Sequence, residues 1–212
     1  MQLPTNALGG QNDRKEMIHL VGPGGAGKST AGSALAERLG VPFVDLDAEF
    51  AASSGDISAY LDSHGYDAYA KRNVSLYSAL VGESCRPDVV ALSSAFMIYR
   101  DDIHPDYVRW RLRIASSKST FVLLPSLDLE TCIAEIVRRQ LRRPFARAAE
   151  REEHVIRTRF PIYANLPARK VETMRPVGAV VAELLTVVAA QQTAAPDVTG
   201  ARSRGPLALD VS

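Results

Sequence analysis

Apolar positions along the chain gather into five short runs separated by longer stretches of mixed character. The runs at 17–21, 41–44, 89–92, 120–124 and 170–172 have strand length. Between them, apolar residues recur at helical spacing, as with Leu35 and Leu39, four apart. This spacing predicts helices over 28–39, 57–62, 67–81, 104–115, 128–141, 147–158 and 177–190. Strands alternating with helices predict an α/β fold, a parallel sheet covered by helices on both faces. Residues 1–14 are polar and read as a loose leader, 15–190 as one domain. Residues 191–212 have little to bury and read as a disordered tail.

The first strand and first helix are joined by Gly22-Pro23-Gly24-Gly25-Ala26-Gly27-Lys28-Ser29-Thr30, which matches G-x-x-x-x-G-K-[ST]. Strand, glycine loop and helix in that order are the context in which this pattern binds a nucleotide polyphosphate. Dense negative charge is best wrapped by backbone N–H groups, and the glycines clear the approach. The helix that follows aims its positive dipole end at the same place. Residues 24–30 are therefore the candidate ATP site. Lys28 is expected to reach the outer phosphates and Ser29 to bind Mg²⁺.

A second constellation, Asp45-Leu46-Asp47, follows the second strand. Alternate residues of a strand point the same way, so both carboxylates are expected on one side. In open α/β sheets ligands collect at the carboxyl ends of strands, where the glycine loop also lies. One acid near Mg²⁺ and another near an acceptor hydroxyl suit phosphoryl transfer.

Composition narrows the rest. At 212 residues and 46% apolar content the chain suits one globular domain. A net charge of +1 gives no electrostatic case for nucleic acid or a membrane surface. No apolar stretch is long enough to span a bilayer, and the first residues lack the features of a secretory signal. A cytoplasmic monomer is the expectation. Cys85 and Cys132 lack metal spacing and read as reduced thiols. His19, within the first strand, reads as a packed residue. Arg138, Arg139, Arg142, Arg143, Arg147 and Arg151 form a dense run. Most of it reads as a solvated face, with Arg143 singled out because Pro144 marks a break.

Over about 18–185 the chain resembles the shikimate kinase family, of the nucleoside monophosphate kinase-like branch of the phosphate-loop fold. Four places carry the resemblance: 22–30 followed by Gly32 and Leu35-Ala36; Gly40-Val41-Pro42-Phe43-Val44-Asp45-Leu46-Asp47; Arg159-Phe160-Pro161-Ile162-Tyr163; and Arg175-Pro176-Val177-Gly178-Ala179-Val180-Val181. It implies a three-layer P-loop kinase fold with a five-stranded parallel sheet and a small helical lid at about 138–156. It also implies an ATP- and Mg²⁺-dependent phosphotransferase acting on a small-molecule alcohol. By the same resemblance Asp45 joins Ser29 in holding Mg²⁺, and Asp47 binds the acceptor hydroxyl and takes or orients its proton. Arg143 closes over the phosphates, Arg159 clamps an anionic group of the acceptor or the transferring phosphate, and Arg175 lies against the adenine.

The chain departs from the family where the acceptor binds. In Gly65-Tyr66-Asp67-Ala68-Tyr69-Ala70-Lys71-Arg72-Asn73, Ala70 stands where the family has an arginine for the carboxylate of shikimate, and Asn73 where it has a glutamate. Lys71 is about 100° away around a helix. Ser93-Ser94-Ala95 stands in place of a triple glycine and is expected to reshape the acceptor wall. The segment 96–113 offers either a new acceptor pocket or a surface helix with Trp110 packed on the body. The reading is a small-alcohol kinase that does not prefer shikimate. The alternatives are a nucleotide-binding protein without kinase activity, and a nucleoside or nucleotide kinase built on Tyr66, Tyr69, Phe96 and Tyr99.

Overall fold

Five parallel strands form the centre of the computed structural model, which describes residues 16–82, 88–142 and 149–193. They are β1 (Ile18–Val21), β2 (Phe43–Asp45), β3 (Val89–Ala91), β4 (Thr120–Leu124) and β5 (Arg169–Glu172), in the order β2-β3-β1-β4-β5. Register is set by pairs such as Leu20 with Ala91 on one side and with Phe121 on the other. The helices are α1 (Lys28–Leu39), α2 (Leu46–Ser54), α3 (Ile57–Gly82), α4 (Tyr107–Ser116), α5 (Leu129–Gln140), α6 (Ala149–Ala164) and α7 (Val177–Thr193).

The strands are apolar on both faces because both are covered. Ile18, Leu20, Phe121 and Leu123 pack with Leu35 of α1 and Leu184 of α7. The alternate positions, Val21, Val90, Val122 and Leu124, pack with Phe50, Val74, Ile114, Ile136 and Phe160 from the other five helices. Gly32 lets α1 approach the sheet: a Cβ there would lie 2.5 Å from the Phe43 ring.

Most elements fall where the apolar pattern puts them; β4 and the span of α1 agree residue for residue. The two helices expected at 57–62 and 67–81 are parts of α3, broken where Gly65 leaves helical geometry at φ 80° and ψ 169°. α6 runs past its expected end to Ala164, with Pro161 inside it. Pro161 has no N–H to give the Arg157 carbonyl, and the helix ends three residues beyond it. No helix was expected at α2, which corrects the reading of 45–47 as strand. Asp45 ends β2 and caps α2, its Oδ1 accepting from the N–H groups of Asp47 and Ala48 at 2.9 and 3.2 Å. Asp47 is thus in the first turn of a helix.

The segment expected as a lid comprises the end of α5, residues 143–148 outside the described set, and the start of α6. Cys85 and the leader and tail segments (save α7's last residues) also lie outside the described residues. Cys132 is a free, buried thiol. No helix among the described residues is long and apolar enough to cross a membrane.

Candidate active site

The loop between β1 and α1 turns on three glycines with positive φ: Gly22 at 144°, Gly25 at 78° and Gly27 at 92°. A Cβ on Gly22 would lie 2.3 Å from the Leu123 carbonyl oxygen, and one on Gly24 would lie 2.9 Å from Gln140 Nε2. Side chains at these points would fill the cradle or break its backing. The loop ends in α1, which has no capping side chain, so its first N–H groups face outward for an anion. Lys28 is 8% exposed, and its ammonium donates to the carbonyls of Gly22 and Pro23 at 2.8 and 2.9 Å. This keeps a cation on the loop's inner edge.

Two recesses meet at the loop and share Gly25, Gly27 and Thr30. The smaller, about 320 Å³, lies between Ala31, Arg139, Thr173, Arg175, Val177 and Val180. Its apolar and cationic walls suit a planar base beside a polyphosphate. Arg175 lines it, paired with Glu183 and donating to the Glu172 carbonyl at 2.9 Å.

Arg139, which lines the same recess, escapes the sequence reading of a solvated run. Its Nε donates to Glu135 Oε1 at 2.6 Å, and its Nη1 to the Gly25 carbonyl at 3.0 Å. Its Nη2 donates to the Thr173 carbonyl at 2.9 Å. Arg138 grips the same Glu135 through two bonds of 2.6 Å. These hydrogen bonds, led by Arg138 and outweighing the partial burial, pull the Glu135 carboxyl down to about 2. Arg143, the arginine singled out from the run, lies outside the described residues.

The larger recess, about 720 Å³, runs from the phosphate loop to α3 and α6. Lys28, Ser29, Asp45, Asp47, Ser94, Ala95 and Arg159 all open onto it. Strand alternation is not what brings the two aspartates there; the cap of α2 does. Tyr69 donates to Asp47 Oδ1 at 3.3 Å. Burial, then the Asp47 charge, raises the Tyr69 phenol above its usual range, so it remains a donor at neutral pH.

On the acceptor side the rebuilt wall is visible. Ser93 is buried and turned away: its hydroxyl and the Asn73 amide exchange bonds of 2.8 and 3.1 Å. Ser94 faces the cavity, its hydroxyl 3.3 Å from Arg159 Nη1. Its carbonyl accepts from Tyr163 at 2.8 Å. Ala70 is fully buried in the core, and Lys71 does not reach the cavity. No residue of 96–113 lines the cavity either. Trp110 instead packs on the body, 7% exposed, its Nε1 donating to Ser78 at 2.8 Å. His19 is packed as expected, 2.7 Å from the Tyr77 hydroxyl.

Among the described residues no group of three or more His, Cys, Asp or Glu could hold a metal ion. A protein cage for a divalent cation is thus not built there. Ser29 and Asp45 beside an anion cradle fit Mg²⁺, which takes few protein ligands and completes its shell with phosphate and water.

Comparison with known proteins gives a consistent result. The profile of the family described as shikimate kinase matches residues 24–189. A shikimate kinase from Histophilus somni is 46% identical over 67 residues, 31% of this chain and only 38% of that protein. One from Paramagnetospirillum magneticum is 34% identical over 152 residues, 70% of this chain and 71% of that protein. Among solved structures, the shikimate kinase from Acinetobacter baumannii in complex with shikimate superposes with a TM-score of 0.67 at 21% identity. That match covers 84% of this chain and 96% of the other. A gluconokinase from Sinorhizobium meliloti 1021 gives 0.54 at 19% identity, over 84% and 93%. At these identities the two structures speak to the fold alone.

Proposed function

The chain belongs to the shikimate kinase family, and from that premise we propose that it is an ATP- and Mg²⁺-dependent kinase of a small-molecule hydroxyl, with an acceptor other than shikimate. The observation that carries this reading is the single cavity onto which Lys28, Ser29, Asp45, Asp47 and Arg159 all open. A protein that only stored a nucleotide would need the loop but not a carboxylate and an arginine across from it.

Residues 24–30 would wrap the polyphosphate, with Arg139 and Arg175 flanking the base. Ser29 and Asp45 would hold Mg²⁺, which when bound offsets charge on the phosphate oxygens. Asp47 would accept the proton of the acceptor hydroxyl or fix its direction. Lys28, Arg159 and Arg143 would stabilise the charge that spreads over the transferred group. Positioning and cationic stabilisation supply most of the catalysis in such transfers, so loss of one group typically costs about 10²–10³ in rate.

The relative from Acinetobacter baumannii binds shikimate. Here Ala70 is buried in the core and α3 lends the cavity no cation, which argues against a carboxylate grip of that kind. The test is ADP release with shikimate, sugars, cyclitols, hydroxy amino acids and nucleosides. Turnover should require an acceptor other than shikimate. Asp47→Asn should abolish it while nucleotide still binds; normal turnover of that variant would defeat the role given to Asp47.

A further inference from the structure

We infer that the acceptor is an uncharged polyhydroxylated ring, a cyclitol or a sugar without a carboxylate, laid against the face that α3 gives the cavity. The inference rests on the kinase reading and deepens it. That face consists of Ile57, Leu61, Asp62, Tyr66 and Tyr69. It contains two aliphatic side chains, two phenols, one carboxylate and no cation.

A carboxylate laid along this face would meet Asp62, with no cation from α3 to offset it. Asp62 repels a second carboxylate on this open face, and an uncharged ligand escapes that repulsion. The cavity's described cations come from other elements, and the charge of one, Arg159, reaches the Tyr66 phenol. Lys28 belongs to the phosphate loop, and Arg151 and Arg159 to α6. Arg159 also has its Nη1 engaged by Ser94.

An uncharged ring meets these groups well. Its C–H face can rest on Leu61 and Tyr66, while its hydroxyls reach Asp62, Asp47 and the Tyr69 phenol. Tyr66 is backed by Tyr99, edge-on with ring centres 6.0 Å apart, and tilted 43° to Tyr69. Tilted and edge-on rings leave no parallel slot for a nucleobase, which favours a puckered ring over a nucleoside.

The test uses the full chain with Mg²⁺ and matched acceptors: D-glucose with D-glucuronate, and the methyl ester of quinate with quinate. Affinity is read by calorimetry in the presence of a non-hydrolysable ATP analogue, and turnover by ADP release with ATP. In at least one pair the uncharged member should bind about 10-fold or more tightly, equivalent to about 1.4 kcal/mol. Tyr66 is 46% exposed, so Tyr66→Arg can be made without opening the core. It should shift the ratio toward the carboxylate member by about 10-fold. Preference of the wild type for carboxylate members, or no binding of any uncharged member, would overturn the inference. An uncharged ring that binds but yields no ADP would uphold it while defeating the kinase reading.

Discussion

Arg139 donates from Nη1 to the carbonyl of Gly25 across 3.0 Å, tying the end of α5 to the phosphate loop. The same guanidinium holds Thr173 after β5 and Glu135 one turn back. One side chain thus ties together two edges of the recess assigned to the nucleotide base, Gly25 and Thr173, and is itself held by Glu135. Arg139→Ala should weaken ATP and ADP binding by about 10-fold or more, because a multiply bonded cation leaves several acceptors unpaired. Calorimetric titration of both nucleotides measures it, with thermal unfolding as the control for the fold.

Glu135 is the carboxylate on which Arg138 and Arg139 converge, and its pKa falls from the ordinary 4.5 to about 2. A carboxyl depressed in the folded state adds stability that is complete above its unfolded value. That stability is lost as pH falls toward the folded value. Part of the acid destabilisation between about pH 4.5 and 2 therefore belongs to this residue. Glu135→Gln should be less stable than the wild type at pH 7 and should show a flatter loss across that window. Melting temperatures measured from pH 7 to pH 2 separate the two slopes.

Gly22 supports the loop through its backbone. At φ 144° with the Leu123 carbonyl oxygen 2.3 Å from any Cβ, no side chain fits without moving β4. Gly22→Ala should destabilise the fold by about 2–4 kcal/mol and weaken nucleotide binding with it. Gly40→Ala is the contrast: its Cβ would meet nothing within 4 Å. Its strain at φ 65° should cost only about 1–2 kcal/mol and leave nucleotide affinity unchanged. Denaturant unfolding of the two variants gives the comparison.

What the sequence made legible here is what is local. The glycine loop, the strand before it and the helix after it are contiguous, and the apolar spacing of α1 states its own ends. α2 was missed although its signals are also local: Asp45 as a cap, acids at Asp47 and Glu49, and buried Leu46 and Phe50 four apart. A strand reading of Asp45 and Asp47 masked them. Arg139 and Ser93 were beyond local reading. Which arginine of a dense run turns inward depends on Gly25 and Thr173, 114 and 34 residues away. Ser93 is drawn from the cavity by Asn73, 20 residues back on α3.

Asn73 and Ser93 join α3 to the end of β3 through bonds in both directions, and Asn73 is fully buried. Asn73→Ala would take both Asn73 bonds from the buried Ser93 hydroxyl, at a cost of about 1–3 kcal/mol. Removing both polar groups, as Asn73→Ala with Ser93→Ala, leaves neither member of the pair waiting for the other. The double variant should therefore be more stable than the sum of the two single losses, a coupling that a double-mutant cycle in denaturant measures. The pair also holds the turn that presents Ser94 to Arg159. If that turn shapes the acceptor wall, Asn73→Ala should raise the acceptor KM while the KM for ATP stays within about twofold, since neither Asn73 nor Ser93 lines the nucleotide recess. Equal rises in both would place the pair in general stability rather than in acceptor positioning.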